Sequence, residues 1–168
     1  MTSGAARMRD EVIRRITRHM AVNKRIVFLA ADFGSPSLDE LVARFPARFV
    51  NVGIAEQNLV NVATGMALEG YVVFAYAIAP FITMRCYEQV RTNMAMLSQK
   101  RRMNATLIGV GAGFSYDVSG PTHQAMEDIS IMRTLPNVDV LSPCDFVTAS
   151  AMAVRATSAA GIRYLRLD

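Results

Sequence analysis

The sequence is short of cysteine, of charge and of long uninterrupted apolar runs, and each shortage closes off a class of protein. Two cysteines in 168 residues, Cys86 and Cys144, stand far apart with neither CxxC nor metal-ligand spacing. That count excludes a disulfide scaffold and a cysteine-based metal site, and both are read as inert thiols in apolar helical surroundings. Charged residues make up 19% of the chain against 52% apolar. A chain of this composition buries enough surface to offset the entropy of ordering, which excludes intrinsic disorder. The longest apolar run, Tyr71 to Met84, is interrupted by Pro80 and carries Thr83, and it falls short of the ~18–20 residues that a spanning helix needs. No continuous apolar segment precedes the charged stretch Arg9, Asp10, Glu11. A secretory leader is therefore not expected, and the expected address is cytoplasmic.

What is present fits one globular domain spanning residues 1–168. The net charge is +4 and the pI near 9.4, so the placement of the basic residues decides whether nucleic acid is a candidate partner. Arg7, Arg9, Arg14, Arg15 and Arg18 are mixed with Asp10 and Glu11 opposite the apolar face Met8, Val12, Ile16, Met20, the pattern of a solvated helix face. Lys100, Arg101 and Arg102 form the one compact basic run. No stacking aromatics interleave these charges, so neither nucleic acid nor membrane is expected as a partner.

Six short, nearly continuous apolar runs recur along the chain: Arg25–Ala31, Arg48–Val52, Tyr71–Ala77, Ala105–Gly111, Val138–Ser142 and Ile162–Leu167. Runs of this kind suit parallel strands covered on both faces. Helical spacing fills the intervals. Ser37 with Glu40 reads as a capping box for Asp39 to Phe45, and Ala55 to Glu69 closes on Gly70. Pro80 opens a helix that keeps Tyr87, Val90, Met94 and Leu97 on one face through Gln99. Met126, Ile129 and Met132 mark another helix, and Phe146 to Ala160 the last, ended by Gly161. The alternation predicts a three-layer, doubly wound α/β domain with a mostly parallel sheet of about six strands. The one long irregular segment, Gly111 to Thr122, is of the length that carries function.

Three stretches could carry chemistry. Glu56, in Gly53-Ile54-Ala55-Glu56-Gln57-Asn58, follows a strand and opens a helix, the carboxyl edge where open α/β sheets bind ligands. The helix dipole favours an acid there in any case, by ~0.3–1 kcal/mol, so position alone does not assign a role. Gly109-Val110-Gly111-Ala112-Gly113-Phe114 tempts toward a dinucleotide fingerprint, but Phe114 stands where a glycine is required and no helix opens at once. His123, in Ser119-Gly120-Pro121-Thr122-His123-Gln124, sits at a loop-to-helix transition where a capping role and a proton-transfer role are equally open.

Taken in order, Phe49-Val-Asn-Val-Gly-Ile-Ala-Glu56-Gln-Asn, Ala-Thr-Gly65-Met-Ala-Leu-Glu-Gly70, Tyr87-Glu-Gln-Val-Arg91, Gly120-Pro-Thr-His123-Gln and Leu135-Pro-Asn-Val resemble the pyrimidine-binding domain of transketolase-type thiamine diphosphate enzymes. The resemblance runs from about Ile26 to Leu167. It implies that Glu56 hydrogen-bonds the ring nitrogen N1′ of the cofactor's aminopyrimidine, favouring the imino tautomer whose exocyclic nitrogen takes the thiazolium C2 proton. A carboxylate suits that task because a hydrogen bond to a charged group strengthens when withdrawn from water. The resemblance further implies that Phe81 stacks on the pyrimidine with Ile78 and Met84 as apolar walls, that His123 lies near the reaction centre, and that Asp32 lies near the cofactor and a subunit interface. The alternative for Phe81 is a plain core residue.

Two departures bear on substrate and one on assembly. Ser119 stands where transketolases and deoxyxylulose-phosphate synthases usually have an acid, and glycine near Gly111 replaces an upstream histidine; both family residues contact sugar hydroxyls, so a standard pentose-phosphate substrate is in doubt. No Gly-Asp-Gly motif occurs. The resemblance therefore implies that Mg²⁺ and the cofactor diphosphate are held by a separate diphosphate-binding subunit, with an oligomeric enzyme as the active form. Ketol transfer is the expected reaction. A thiamine diphosphate-dependent 2-oxo-acid decarboxylating component and a non-catalytic interaction module of the same fold remain the alternatives.

Overall fold

The computed structural model describes residues 8–168, so Arg7 of the basic set lies outside the described residues. Six strands, β1 (Ile26–Ala30), β2 (Phe49–Asn51), β3 (Val72–Ile78), β4 (Asn104–Val110), β5 (Val138–Leu141) and β6 (Gly161–Leu167), form one sheet in the order β2-β1-β3-β4-β6-β5. Every pairing is parallel, so the sheet is wholly rather than mostly parallel. The helices are α1 (Met8–Val22), α2 (Pro36–Arg44), α3 (Glu56–Leu68), α4 (Ala79–Thr83), α5 (Tyr87–Gln89), α6 (Asp128–Met132) and α7 (Phe146–Ser158).

Strand side chains alternate between two cores. Phe28, Phe74, Tyr76, Ile108 and Leu165 face α1, α2 and α7 through Ile13, Ile16, Leu41 and Ala153. Val27, Leu29, Ala75, Leu107 and Tyr164 face α3, α4 and α6 through Leu59, Ala63, Ile82 and Met132. This is the three-layer, doubly wound arrangement that continuous apolar runs require, since each central strand is buried on both sides. The edge strands depart from that rule. β2 is half-buried to exposed along its length and β5 nearly so, because each has a neighbour on one side only.

Local chemistry moved several boundaries. Ser35, not Ser37, caps α2: its Oγ accepts from the Leu38 amide, and Pro36 fills the first helical position, where a missing N–H costs nothing. Asp145 and Thr148 form a reciprocal capping box on α7. Gly161 does not end that helix but begins β6. The helix expected from Pro80 to Gln99 is broken at Met84–Cys86, and beyond α5 it continues as a π-helical segment (Val90–Met96) and a 3-10 turn (Leu97–Gln99). Leu97 consequently turns outward. Arg9, read as part of a solvated face, is buried, with its Nε donating to Asp10 at 3.2 Å. Cys144 is exposed just before α7 rather than set in an apolar helical context. No described helix is long and apolar enough to cross a membrane.

Gly109, rejected as part of a nucleotide fingerprint, has a packing role. A Cβ there would stand 2.7 Å from the Tyr164 ring and 3.1 Å from the Ala79 backbone, where α4 crosses the sheet. Gly109→Ala is expected to destabilise the fold by ~1–3 kcal/mol, the usual cost of overpacking a tight core, read as a lowered midpoint in urea unfolding.

Candidate functional site

Parallel pairing brings the carboxyl ends of all six strands to one edge, and the chain reverses its winding direction beside β1, running from β2 over to β3. The connections after β1 and β3 leave toward opposite faces of the sheet, the topological switch point where open α/β sheets usually bind ligands. Asn51, the last residue of β2, fastens the turns that border it. Its Oδ1 accepts from the amides of Asp32 and Gly53, each at 3.0 Å, and its Nδ2 donates to Asp32 Oδ1 at 3.1 Å. Asp32 and Gly53 both have positive φ, at 47° and 75°, so these contacts hold two tight turns.

Beyond Gly53 the chain enters α3 at Glu56, the first helical residue, with no side-chain cap from Ala55. The carboxylate is 4% exposed and accepts from Arg85 Nη1 at 2.8 Å through Oε2. Arg85 lies in the break between α4 and α5, and its backbone carbonyl accepts from Gln57 Nε2 at 3.2 Å, tying the break to the first turn of α3. The Arg85 guanidinium carbon stands 4.2 Å above the Phe81 ring centroid. His123 makes a T-shaped contact with the same ring, with centroids 5.1 Å apart and planes at 70°. Glu56, Arg85, Phe81 and His123 thus make one continuous cluster.

Phe81 is half-buried and lies outside both cores, which disposes of the plain core reading. Ile78 caps the start of α4, and Met84 is exposed at the break. Neither they nor Asp32 make a hydrogen bond or ring contact with the cluster among the described residues. Arg85 is the member that sequence reasoning missed. Its one signal was an unexplained cation in an otherwise apolar turn just before Tyr87-Glu88-Gln89-Val90-Arg91.

His123 is carried by a loop more ordered than its sequence suggests. The segment contains 3-10 turns at Asp117–Ser119 and Pro121–His123, with Gly120 between them at φ 78°. An antiparallel bridge between Gly113 and Ala125 closes its base. Thr122 Oγ1 and His123 Nδ1 share a hydrogen bond of 3.0 Å. Asp128, wholly buried at the start of α6, accepts from the Tyr164 hydroxyl at 2.7 Å and from Arg166 Nε at 2.8 Å. Burial, reinforced by Asp128, holds the Tyr164 phenol well above its ordinary pKa, so it stays a donor. The loop is therefore anchored to β6 at its foot, while Phe114 and Val118 are exposed along it.

An acid, an aromatic ring and a histidine are thus gathered at the carboxyl edge of an open parallel sheet, the edge at which α/β domains bind ligands. Residues 5–168 match the transketolase pyrimidine-binding domain family, and the chain belongs to that family. A putative transketolase C-terminal section of Methanocaldococcus jannaschii is 36% identical over 124 residues, 73% of this chain and 38% of that protein. An apulose-4-phosphate transketolase subunit of Actinobacillus succinogenes is 32% identical over 167 residues, 99% of this chain and 52% of that one. A split gene transketolase, solved as an inactive β4 tetramer, superposes with a TM-score of 0.83 at 33% identity, covering 97% of this chain and 51% of that one. The chain spans about half or less of the length of these relatives. Membership implies thiamine diphosphate as the cofactor.

Cys86, next to Arg85, is buried, and its thiol donates toward the Phe81 carbonyl at 3.1 Å. Burial, with the nearby Glu56 charge, pushes this thiol up to about 12. An unfolded thiol releases its proton near ~8.5, so from there to about 12 the unfolded chain binds fewer protons than the folded one, and the contribution of Cys86 to stability falls as pH rises. At mildly alkaline pH iodoacetamide is expected to modify Cys144 in the folded protein and to reach Cys86 only after denaturant is added, as read by peptide mass mapping.

Proposed function

We propose that this chain forms the pyrimidine half of the cofactor site in a transketolase-like thiamine diphosphate enzyme that transfers ketol units. A separate diphosphate-binding subunit would hold the cofactor's diphosphate through Mg²⁺ in an oligomeric, cytosolic assembly acting on a sugar phosphate. The observation that carries this reading is Glu56: a carboxylate 4% exposed, at the carboxyl edge of the sheet, with one oxygen paired to Arg85 and an aromatic face beside that pair. Arg85 itself supports the fit. Its flat cationic N–H group hydrogen-bonds Glu56 while lying over Phe81, the two contacts that an aminopyrimidine ring would need.

Bound thiamine diphosphate supplies the nucleophilic carbon and the electron sink for cleaving a carbon–carbon bond next to a carbonyl. The residues of this chain orient that group and manage its protons. Glu56, kept from water, would hydrogen-bond the ring nitrogen more strongly than an exposed acid would. Phe81 and Ile78 fix the ring plane and keep water from it, and Met84 and Asp32 border the same edge. His123, in T-shaped contact with Phe81, would meet a substrate carbonyl or hydroxyl beside the ring system as a hydrogen-bonding or proton-transfer partner. Among the described residues no group has the make-up of a metal site, and the proposal assigns Mg²⁺ to the partner.

Glu56→Gln, which keeps the shape and loses the charge, tests this assignment. In the protein assembled with its diphosphate-binding subunit, thiamine diphosphate and Mg²⁺, ketol transfer should fall by ~10²–10⁴-fold, the range of a lost proton-transfer partner. Unchanged turnover would overturn the role of Glu56. Keto-acids assayed beside ketose phosphates separate ketol transfer from decarboxylation.

A further inference from the structure

The Arg85 guanidinium stands where the proposed ring has to stand. Arg85 already makes the two contacts the ring would make, with Nη1 2.8 Å from Glu56 Oε2 and its guanidinium carbon 4.2 Å from the Phe81 ring centroid. We propose that Arg85 is an internal occupant of the pyrimidine site, capping Glu56 and Phe81 until the cofactor ring displaces it. This inference rests on the reading of Glu56 and Phe81 given above.

The physical need for an occupant is clear. A carboxylate this buried is costly if left without a partner, and a domain that folds before its cofactor arrives has to neutralise it. Arginine suits the place better than lysine, because a planar guanidinium can present an N–H to the acid and its face to an aromatic ring together.

Geometry also allows the cap to leave. The Arg85 side chain is 45% exposed, and among the described residues its guanidinium touches only Glu56 and Phe81. It springs from the break between α4 and α5, and its backbone is held separately by Gln57. The side chain can therefore swing into solvent without unwinding a helix. Cofactor binding becomes the exchange of one flat cation-like group for another, and the apparent affinity is reduced by the fraction of time the site is capped.

The test is calorimetric titration of thiamine diphosphate into the full-length protein with its diphosphate-binding subunit and Mg²⁺. If the site is capped about nine-tenths of the time, Arg85→Met should bind about tenfold more tightly than the wild type. Millimolar methylguanidinium should restore weaker binding in Arg85→Met and leave the wild type unchanged. Arg85→Lys, which keeps the charge but not the flat stack, should also bind more tightly than the wild type and serves if the Met variant does not fold. Equal or weaker binding by these variants, or the same response of wild type and variant to methylguanidinium, overturns the proposal. Glu56→Gln is the separate control: binding insensitive to it removes the site assignment itself, whatever Arg85 does.

Discussion

Parallel strands cannot be joined by tight turns, so each connection has to travel back along the sheet before the next strand begins. That constraint organises the molecule. It places every loop that leaves a strand's carboxyl end on one edge, and it demands helices on both faces to cover what the returning chain would otherwise leave open. Where the winding reverses beside β1, successive connections turn to opposite faces of the sheet. Asp32, Glu56, Phe81 and the loop bearing His123 reach the same edge for this reason, although they lie far apart in the chain.

Two buried acids at that edge are held in different ways. Asp128 is gripped by two partners from β6, the fully buried Tyr164 and the mostly buried Arg166. It pins the foot of the histidine loop to the sheet. Glu56 is as deeply placed, yet its partner is a single half-exposed arginine mounted on a helix break. An acid held by fixed partners is architecture; one held by a removable partner can be handed to a ligand. Cys86, buried next to Arg85, is kept neutral by burial and by the nearby Glu56 charge.

Much of the fold was legible in the sequence because burial on both faces leaves a direct trace: continuous apolar runs marked all six strands to within one or two residues. Glu56 and His123 were legible through the motifs around them. What escaped reading depended on groups distant in sequence or on competing local chemistry. Ser35 displaced Ser37 as a cap because Pro36 fits the first helical position. The break at Met84–Cys86 left no proline or glycine signal. Arg9 read as solvated because periodicity cannot tell that a long side chain next to an apolar stripe is covered by neighbouring elements.

By itself, the sequence determined the layers, the strand count and the identity of the acid at the carboxyl edge, because period, turn chemistry and motif spacing are properties of neighbours along the chain. Tertiary structure alone decided that the sheet is wholly parallel in the order β2-β1-β3-β4-β6-β5, that Phe81 lies outside both cores against Arg85 and His123, and that Arg85 pairs with Glu56. These are contacts between segments that meet only once helices have been laid on both faces. Their energies depend on who is near in space, which a linear pattern does not record.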